Sequence, residues 1–278
     1  MITWTDEKRA ELRAHWAAGL SATEIAHAMG TTKGAIDGQS IRENLHHKGT
    51  RRVVLKPGHD AIRGARTLFP TRVFDPTGDQ PIIKPGSYSR KLGGEVLKGH
   101  WRGFPIYTLA LEERATCPTA CALYASCYGN HMQAAKRYRH GDALIWRLSV
   151  ELAVLQLRHP QGFVVRLHVL GDFYSVDYVW QWARWLEDYP ALRVFGYTAW
   201  APDTPIGRAV KSCRVTLWDR FAVRTSGMAG ENGTTVVERV SDAPPGSIVC
   251  PAQTDKTTSC ATCALCWATH KPITFLMH

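Results

Sequence analysis

Leu12 and Trp16 stand four residues apart among polar neighbours in TDEKRAELRAHWAA (5–18), a spacing that predicts an amphipathic helix. Thr5 occupies its cap position, and Asp6 and Glu7 lie in a first turn where negative charge is favoured. Gly-Leu-Ser then breaks the pattern. Ser21 caps ATEIAHAM, and Glu24, three residues on, completes a capping box. Gly30 ends that helix, and TTKGAIDGQSIRENLHH predicts a third, with Ile36, Ile41 and Leu45 on its apolar side. Short helix, glycine-containing turn and second helix make a helix-turn-helix layout.

From 53 to 90 periodicity is weak and Pro and Gly are frequent. This predicts a linker (51–90) with one short helix near 59–67. Beyond it, apolar runs alternate with 3.6-residue periods. FPIYTLAL, GFVVRLHVLGDF, LRVFGYT, RFAVRTSG, SIVCPAQ and ITFLMH read as strands. Helices are expected over 142–158 (Ile145, Leu148, Leu152 and Leu155 on one face), in VDYVWQWARWLEDY after a Ser175 cap, and in PIGRAVKSC after Thr204 and Pro205. The predicted class is α/β: a three-helix module (1–50) followed by a domain (91–278) built on a parallel sheet or a partial (β/α) barrel.

The chain has 278 residues, 45% of them hydrophobic, and a net charge of +10. Residues 1–100 hold 16 Lys/Arg against 10 Asp/Glu, so most of that charge lies in the first third, as expected for a nucleic-acid footprint. A charged N-terminus without an apolar core segment, and no run of about 18 apolar residues, point to a cytoplasmic chain without a membrane span. In a reducing compartment eight cysteines read as metal ligands rather than disulfides.

Seven of them fall in two clusters. Cys117, Cys121 and Cys127 follow the first strand as C-x3-C-x5-C, and three thiols cannot staple themselves in pairs. Cys250, Cys260, Cys263 and Cys266 end in C-x2-C-x2-C, the spacing of ferredoxin-type clusters, with Cys-Pro at 250–251. One or two [4Fe–4S] clusters are expected, with zinc as the alternative. Cys117, Cys121 and Cys127 joined by one C-terminal thiol in a single site remains open at this level. Cys213 reads as a small buried residue.

Polar residues also gather at strand ends: Gly171-Asp172, Tyr197-Thr198, Arg224, Ser226, Gln253 and His278. In α/β folds ligands sit at such ends. Asp172, Tyr197, Arg224 and Ser226 are therefore candidate catalytic residues. His168, Thr198 and Gln253 are candidates for cofactor binding, with His168 sharing a strand face with Arg166.

The opening WTDEKRAELRAHWAAGLSATEIAHAMGTTKGAIDGQSIRENL resembles the DNA-binding module of GcrA-type cell-cycle regulators. The resemblance rests on Trp-Thr-Asp, the helix-1 Trp, Gly-Leu-Ser-Ala and the following Ile-Ala, and departs from the family at Asp37 and Ser40. It implies double-stranded DNA as partner, with Thr32, Lys33, Gln39 and Arg42 toward the major groove and Lys48, Arg51 and Arg52 on phosphate or in the minor groove. The three-cysteine loop is similar to that of radical SAM enzymes, where three thiolates leave one iron of a [4Fe–4S] cluster open to S-adenosylmethionine. Here the last gap is five residues, not two, and no Gly-Gly-Glu-Pro motif occurs. TCP-x2-C…CYG, H-x-x-GDF, the Tyr-Thr strand end and the cysteine-rich C-terminus resemble a family of phage and mobile-element proteins. The expected function is a DNA-binding iron–sulfur protein, an enzyme acting on nucleic acid. A redox-, oxygen- or iron-sensing regulator, homodimeric or not, and a zinc-stabilised DNA-binding protein are the alternatives.

Overall fold

The structure, a computed structural model, describes residues 2–18, 20, 22–43, 45, 53–89 and 91–277. Ser21, Lys48, Arg51, Arg52, His278 and the side chain of Ile41 lie outside the described residues. Two compact units divide the chain, Met1–Arg52 and Val53–Met277.

In the first unit, α1 (Asp6–Ala17), α2 (Ala22–Ala28) and α3 (Lys33–Arg42) enclose Leu12, Trp16, Ile25, Ala26 and Ile36. The Thr5 hydroxyl accepts from the Lys8 amide at 3.3 Å, the expected cap. Gly30, at φ +61, turns α2 toward α3, and the Thr32 hydroxyl accepts from the Ala35 amide at 3.2 Å. Glu43 draws the helices together: Arg13 donates to it, Arg9 stands 3.7 Å away, and the Gln39 amide donates to it at 3.1 Å.

The second unit contains α4 (Asp60–Arg63), β1 (Val73–Phe74), β2 (Lys84–Pro85), β3 (Ile106–Thr108), β4 (Arg137–Tyr138), α5 (Asp142–Arg158), β5 (Phe163–Leu167), α6 (Val176–Asp188), β6 (Leu192–Thr198), α7 (Pro205–Leu217), β7 (Phe221–Ser226), β8 (Gly233–Val237), β9 (Ile248–Val249), α8 (Cys260–Cys263), α9 (Leu265–Ala268) and β10 (Ile273–Leu276). Eight strands form one open sheet in the order β2-β3-β5-β6-β7-β8-β10-β9, parallel except at β2–β3. The parallel-sheet form of the predicted fold holds, and the sheet does not close into a barrel. β1 and β4 pair separately.

Alternation along the central strands splits the interior in two. Phe163, Val165, Leu167, Leu192, Val194, Phe221 and Val223 pack under α5, α6 and α7, against Leu148, Leu152, Trp182, Trp185 and Val210. Val164, Phe195 and Ala222 face the other way, against Trp101, Ala261, Ala264 and Trp267. Helices therefore cover one face, and the cysteine-bearing C-terminal segment covers the other.

From Val53 onward, the stretch expected as a linker is part of this unit. Leu55, Ile82 and Ile83 are buried, and Glu151 of α5 accepts from the amides of Ile82 and Ile83 at 2.8 and 2.9 Å. Proline and glycine there set turns in a packed wrapping rather than a free tether. β8 was not expected either: its residues, GTTVV, are too polar to show a strand period.

Gly171 fixes where the segment after β5 meets the loop after β3. It holds φ +81, and a Cβ there would lie 2.7 Å from both Leu111 Cβ and Thr116 Oγ1. Gly103 shares the positive φ (+86) with nothing within 4 Å. Both Gly→Ala changes carry the left-handed cost of about 1–2 kcal/mol, and Gly171→Ala adds overpacking of about 1–3 kcal/mol. Urea unfolding should rank Gly171→Ala clearly below Gly103→Ala; equal losses would contradict the close approach.

Candidate metal centre

The loop between β3 and β4 has little regular structure, so its backbone polar groups need other partners. Two buried arginines supply them. Arg114, itself at φ +68, donates to the carbonyls of Tyr124 (3.2 Å) and Arg66 (3.3 Å) and to the Asn130 side chain. Asn130 in turn donates to the carbonyls of Val53 and Ala125 at 2.8 and 3.1 Å. Arg137 grips Glu113 at 2.7 and 3.0 Å and donates to the carbonyls of Gly129, Met132 and Ala135. The Thr67 hydroxyl donates to Glu113 at 2.7 Å. Inside this frame Cys117, Cys121 and Cys127 each lie within electrostatic reach of the other two. The Cys127 sulfur accepts from the Gly129 amide at 3.4 Å.

A third buried arginine organises the C-terminal cysteines. Arg224, on β7, has no exposed surface and donates to the carbonyls of Cys266 (2.8 Å), Lys271 (3.0 Å), Leu265 (3.4 Å) and Thr269. Ser259 and Thr262 form a capping box on α8, and Ala264, at φ +62, links α8 to α9. The amides of Cys260 and Ala261 donate to the carbonyls of Lys91 and Leu92 at 2.9 Å each. Every pair among Cys250, Cys260, Cys263 and Cys266 lies within electrostatic reach. The Tyr197 hydroxyl donates to the Cys266 sulfur at 2.8 Å. The cysteines that act electrostatically on the buried thiols belong to the same group in each case.

Asp172 follows β5 and is buried. Its carboxylate accepts from the amides of Phe173 and Ala199 at 2.7 Å each, and its own amide donates to Thr116 Oγ1 at 3.0 Å, beside Cys117. Burial pushes its pKa up to about 7, against the pull of these amides, Thr198 and Arg166. Its charge opposes ionisation of Cys117 and Cys121. Thr198 is buried, and Ser226 ends β7 half-buried.

Several expected site residues also bond within the fold. Arg224 is buried and donates to four backbone carbonyls. Gln253 clamps β10 through the Leu276 carbonyl and amide, both at 2.9 Å. His168 turns from Arg166 to the helix-covered side, 3.1 Å from the Tyr178 hydroxyl and edge-on to Phe173. Burial first, then Arg166, pushes its pKa down to about 3, so it stays neutral. In the first unit Thr32, Lys33 and Arg42 are exposed, whereas Gln39 is 3% exposed and bonded to Glu43 and Arg42.

Arg166, expected only as the strand-face neighbour of His168, lies beside the C-terminal cysteines. Its guanidinium lies 4.6 Å from the centre of the Tyr197 ring and 5.5 Å from that of Phe195. Its strand parity with Tyr197 and Arg224, one face of β5–β7, was the available signal.

Among the described residues, no group of three or more His, Cys, Asp or Glu is set ready around a metal ion. The donor chemistry nevertheless fits a thiophilic group. Burial raises the pKa values of Cys117, Cys121, Cys127, Cys250 and Cys266 and pushes Cys260 to about 12, so these thiols are protonated at neutral pH, and a metal binding them would have to displace those protons. Arg166 and Arg224 face Cys266, and Arg166 also Cys260, so thiolates would meet cations there.

The GcrA cell cycle regulator family model matches residues 2–77, and the Gene product 88 family model matches residues 84–204. The chain thus carries two modules, with the GcrA-like one suggesting DNA binding. No curated protein and no solved structure matches the chain. No described helix is long and apolar enough to cross a membrane.

Asp172 gives the metal-free protein a defined pH response. Its raised pKa means the folded chain keeps a proton that the unfolded chain has lost above the ordinary value of about 4. Stability from this group therefore falls as pH rises from about 4 to about 7. Melting temperatures at pH 5 to 8 should fall more steeply for the wild type than for Asp172→Asn. Parallel curves would show that Asp172 does not titrate there.

Proposed function

We propose that this chain is a DNA-binding regulator whose Val53–Met277 unit carries iron–sulfur clusters. The observation that carries the reading is the grouping of seven thiols into a set of three and a set of four. Four thiolates suit a closed [4Fe–4S] site, and C-x2-C-x2-C favours a cluster over zinc. Three thiolates leave an open position for a second cluster. A bound cluster supplies one-electron transfer. The protein's own part is to bury the ligands, hold their loops through Arg114, Arg137 and Arg224, and place Arg166 and Tyr197 beside Cys266. A regulator fits better than an enzyme because Arg224, Gln253 and His168 are committed internally. Free thiols suit a reducing cytoplasm, and the Gene product 88 match suits a phage or mobile-element setting.

A second reading, an enzyme acting on nucleic acid, is favoured by the three-thiol group alone, with Asp172 in reach of Cys117 and Cys121. Its test is S-adenosylmethionine added to the reduced protein. A changed electron paramagnetic resonance signal would favour it, and an unchanged one would favour the regulator.

DNA binding resides in the GcrA-like unit, with double-stranded DNA as partner and the exposed Thr32 and Lys33 at the start of α3 and Arg42 at its end as candidate contacts. Lys33 pairs with Asp37 at 2.6 Å, both well exposed, so Asp37 competes with phosphate for Lys33. Fluorescence anisotropy with duplex DNA should show Lys33→Ala weakening binding several-fold and flattening the salt dependence by about one unit. Asp37→Ala should strengthen binding. Removing the cluster from the full chain should change DNA affinity. Absence of salt-dependent binding by the cluster-loaded protein at low ionic strength would refute the DNA-binding reading.

A further inference from the structure

Arg166 is a half-buried cation in an unusual position. It lies on the sheet face covered by the cysteine segment, its guanidinium 4.6 Å from the centre of the Tyr197 ring. Tyr197 donates to the Cys266 sulfur at 2.8 Å, so a single ring separates cation and thiol. One guanidinium nitrogen of Arg166 donates to the carbonyls of Leu167 and His168. Among the described residues it makes no ion pair with a carboxylate. Burial works against its charge, and Tyr197, Cys260, Cys266 and Asp172, all within electrostatic reach, favour it only in their ionised forms. A cation partly shielded from water without an ion pair is disfavoured unless an anion lies near. The four-thiol group is where that anion would form.

We propose that Arg166 is a positioning residue that sets the reduction potential of the C-terminal four-thiol centre. The proposal rests on reading that centre as an iron–sulfur site. One-electron reduction, with dithionite as the electron donor, leaves the centre with one more negative charge than in its oxidised form. Arg166, stacked one ring away in a low-dielectric setting, favours that added charge. Arg224 cannot be tested in the same way, because it holds the carbonyls of the loop and its loss would unravel the ligands. Arg166 has no such duty toward residues 265–271.

The test uses anaerobically purified full-length protein, wild type, Arg166→Gln and Arg166→Lys. Iron and sulfide are counted first, and midpoint potentials are then read from dithionite titrations followed by absorbance and electron paramagnetic resonance. With wild-type iron content, Arg166→Gln should move one midpoint to more negative potential, and Arg166→Lys should leave it near wild type. Loss of iron in Arg166→Gln with retention in Arg166→Lys would also support a charge role. An unchanged midpoint in fully loaded Arg166→Gln would overturn the proposal. So would equal shifts, or loss of iron, in both variants, which would make Arg166 a packing residue. A wild-type protein without iron would fail at the counting step and take the iron–sulfur reading with it.

Discussion

Three buried guanidinium groups allow this domain to keep long irregular loops inside a folded core. Arg114, Arg137 and Arg224 each donate to backbone carbonyls of the segments that carry the cysteines. Hydrogen bonds from a charged donor contribute roughly 1.5–3 kcal/mol each. Burying a lone cation would cost several kcal/mol, so the carbonyls and the arginines need one another. Arg137 has Glu113 as an ionic partner at 2.7 Å, whereas the neighbours of Arg224 that can carry negative charge, Cys266 and Tyr197, do so only when ionised. That asymmetry links the fold to the proposed chemistry, because an anionic thiolate centre would complete the charge balance the apolar surroundings leave open.

The sheet turns this local bonding into a site. With α5, α6 and α7 occupying one face, the cysteine segment is left to cover the other, where Arg166, Tyr197 and Arg224 project by strand parity. Gly171 brings Leu111 and Thr116 against the end of β5. Asp172 then bonds to Thr116 on one side and to the amide after β6 on the other. Cys117 thereby neighbours the end of β5, and Cys266 meets Tyr197 near the end of β6, the usual location of function in a parallel sheet.

The long elements were legible because their signals are local. Leu148, Leu152 and Leu155 form the buried stripe of α5 as expected, with Leu144 completing it in place of the half-buried Ile145, and LRVFGYT is β6 residue for residue. Thr204 and Pro205 mark the start of α7 as cap and first-turn proline should. The cysteine groups were legible from spacing. The partnerships of the polar strand ends were not, because they depend on distant chain: Arg224 meets carbonyls more than 40 residues away, and Gln253 meets β10. A sequence marks such residues as polar at a strand end without saying whether solvent or backbone answers them. The same limit hid the burial of Gln39, which depends on Glu43 and its arginine partners from α1. It also hid the packing of 53–89, where proline and glycine mask buried Leu55, Ile82 and Ile83.

The most direct test of the account is the metal and sulfide content of full-length protein isolated without oxygen, compared with Cys127→Ala and Cys263→Ala. The account predicts iron with matching acid-labile sulfide and no stoichiometric zinc in the wild type. Each variant should lose the iron of its own group while keeping that of the other. Stoichiometric zinc with no iron would contradict it, as would loss of all metal from either single substitution.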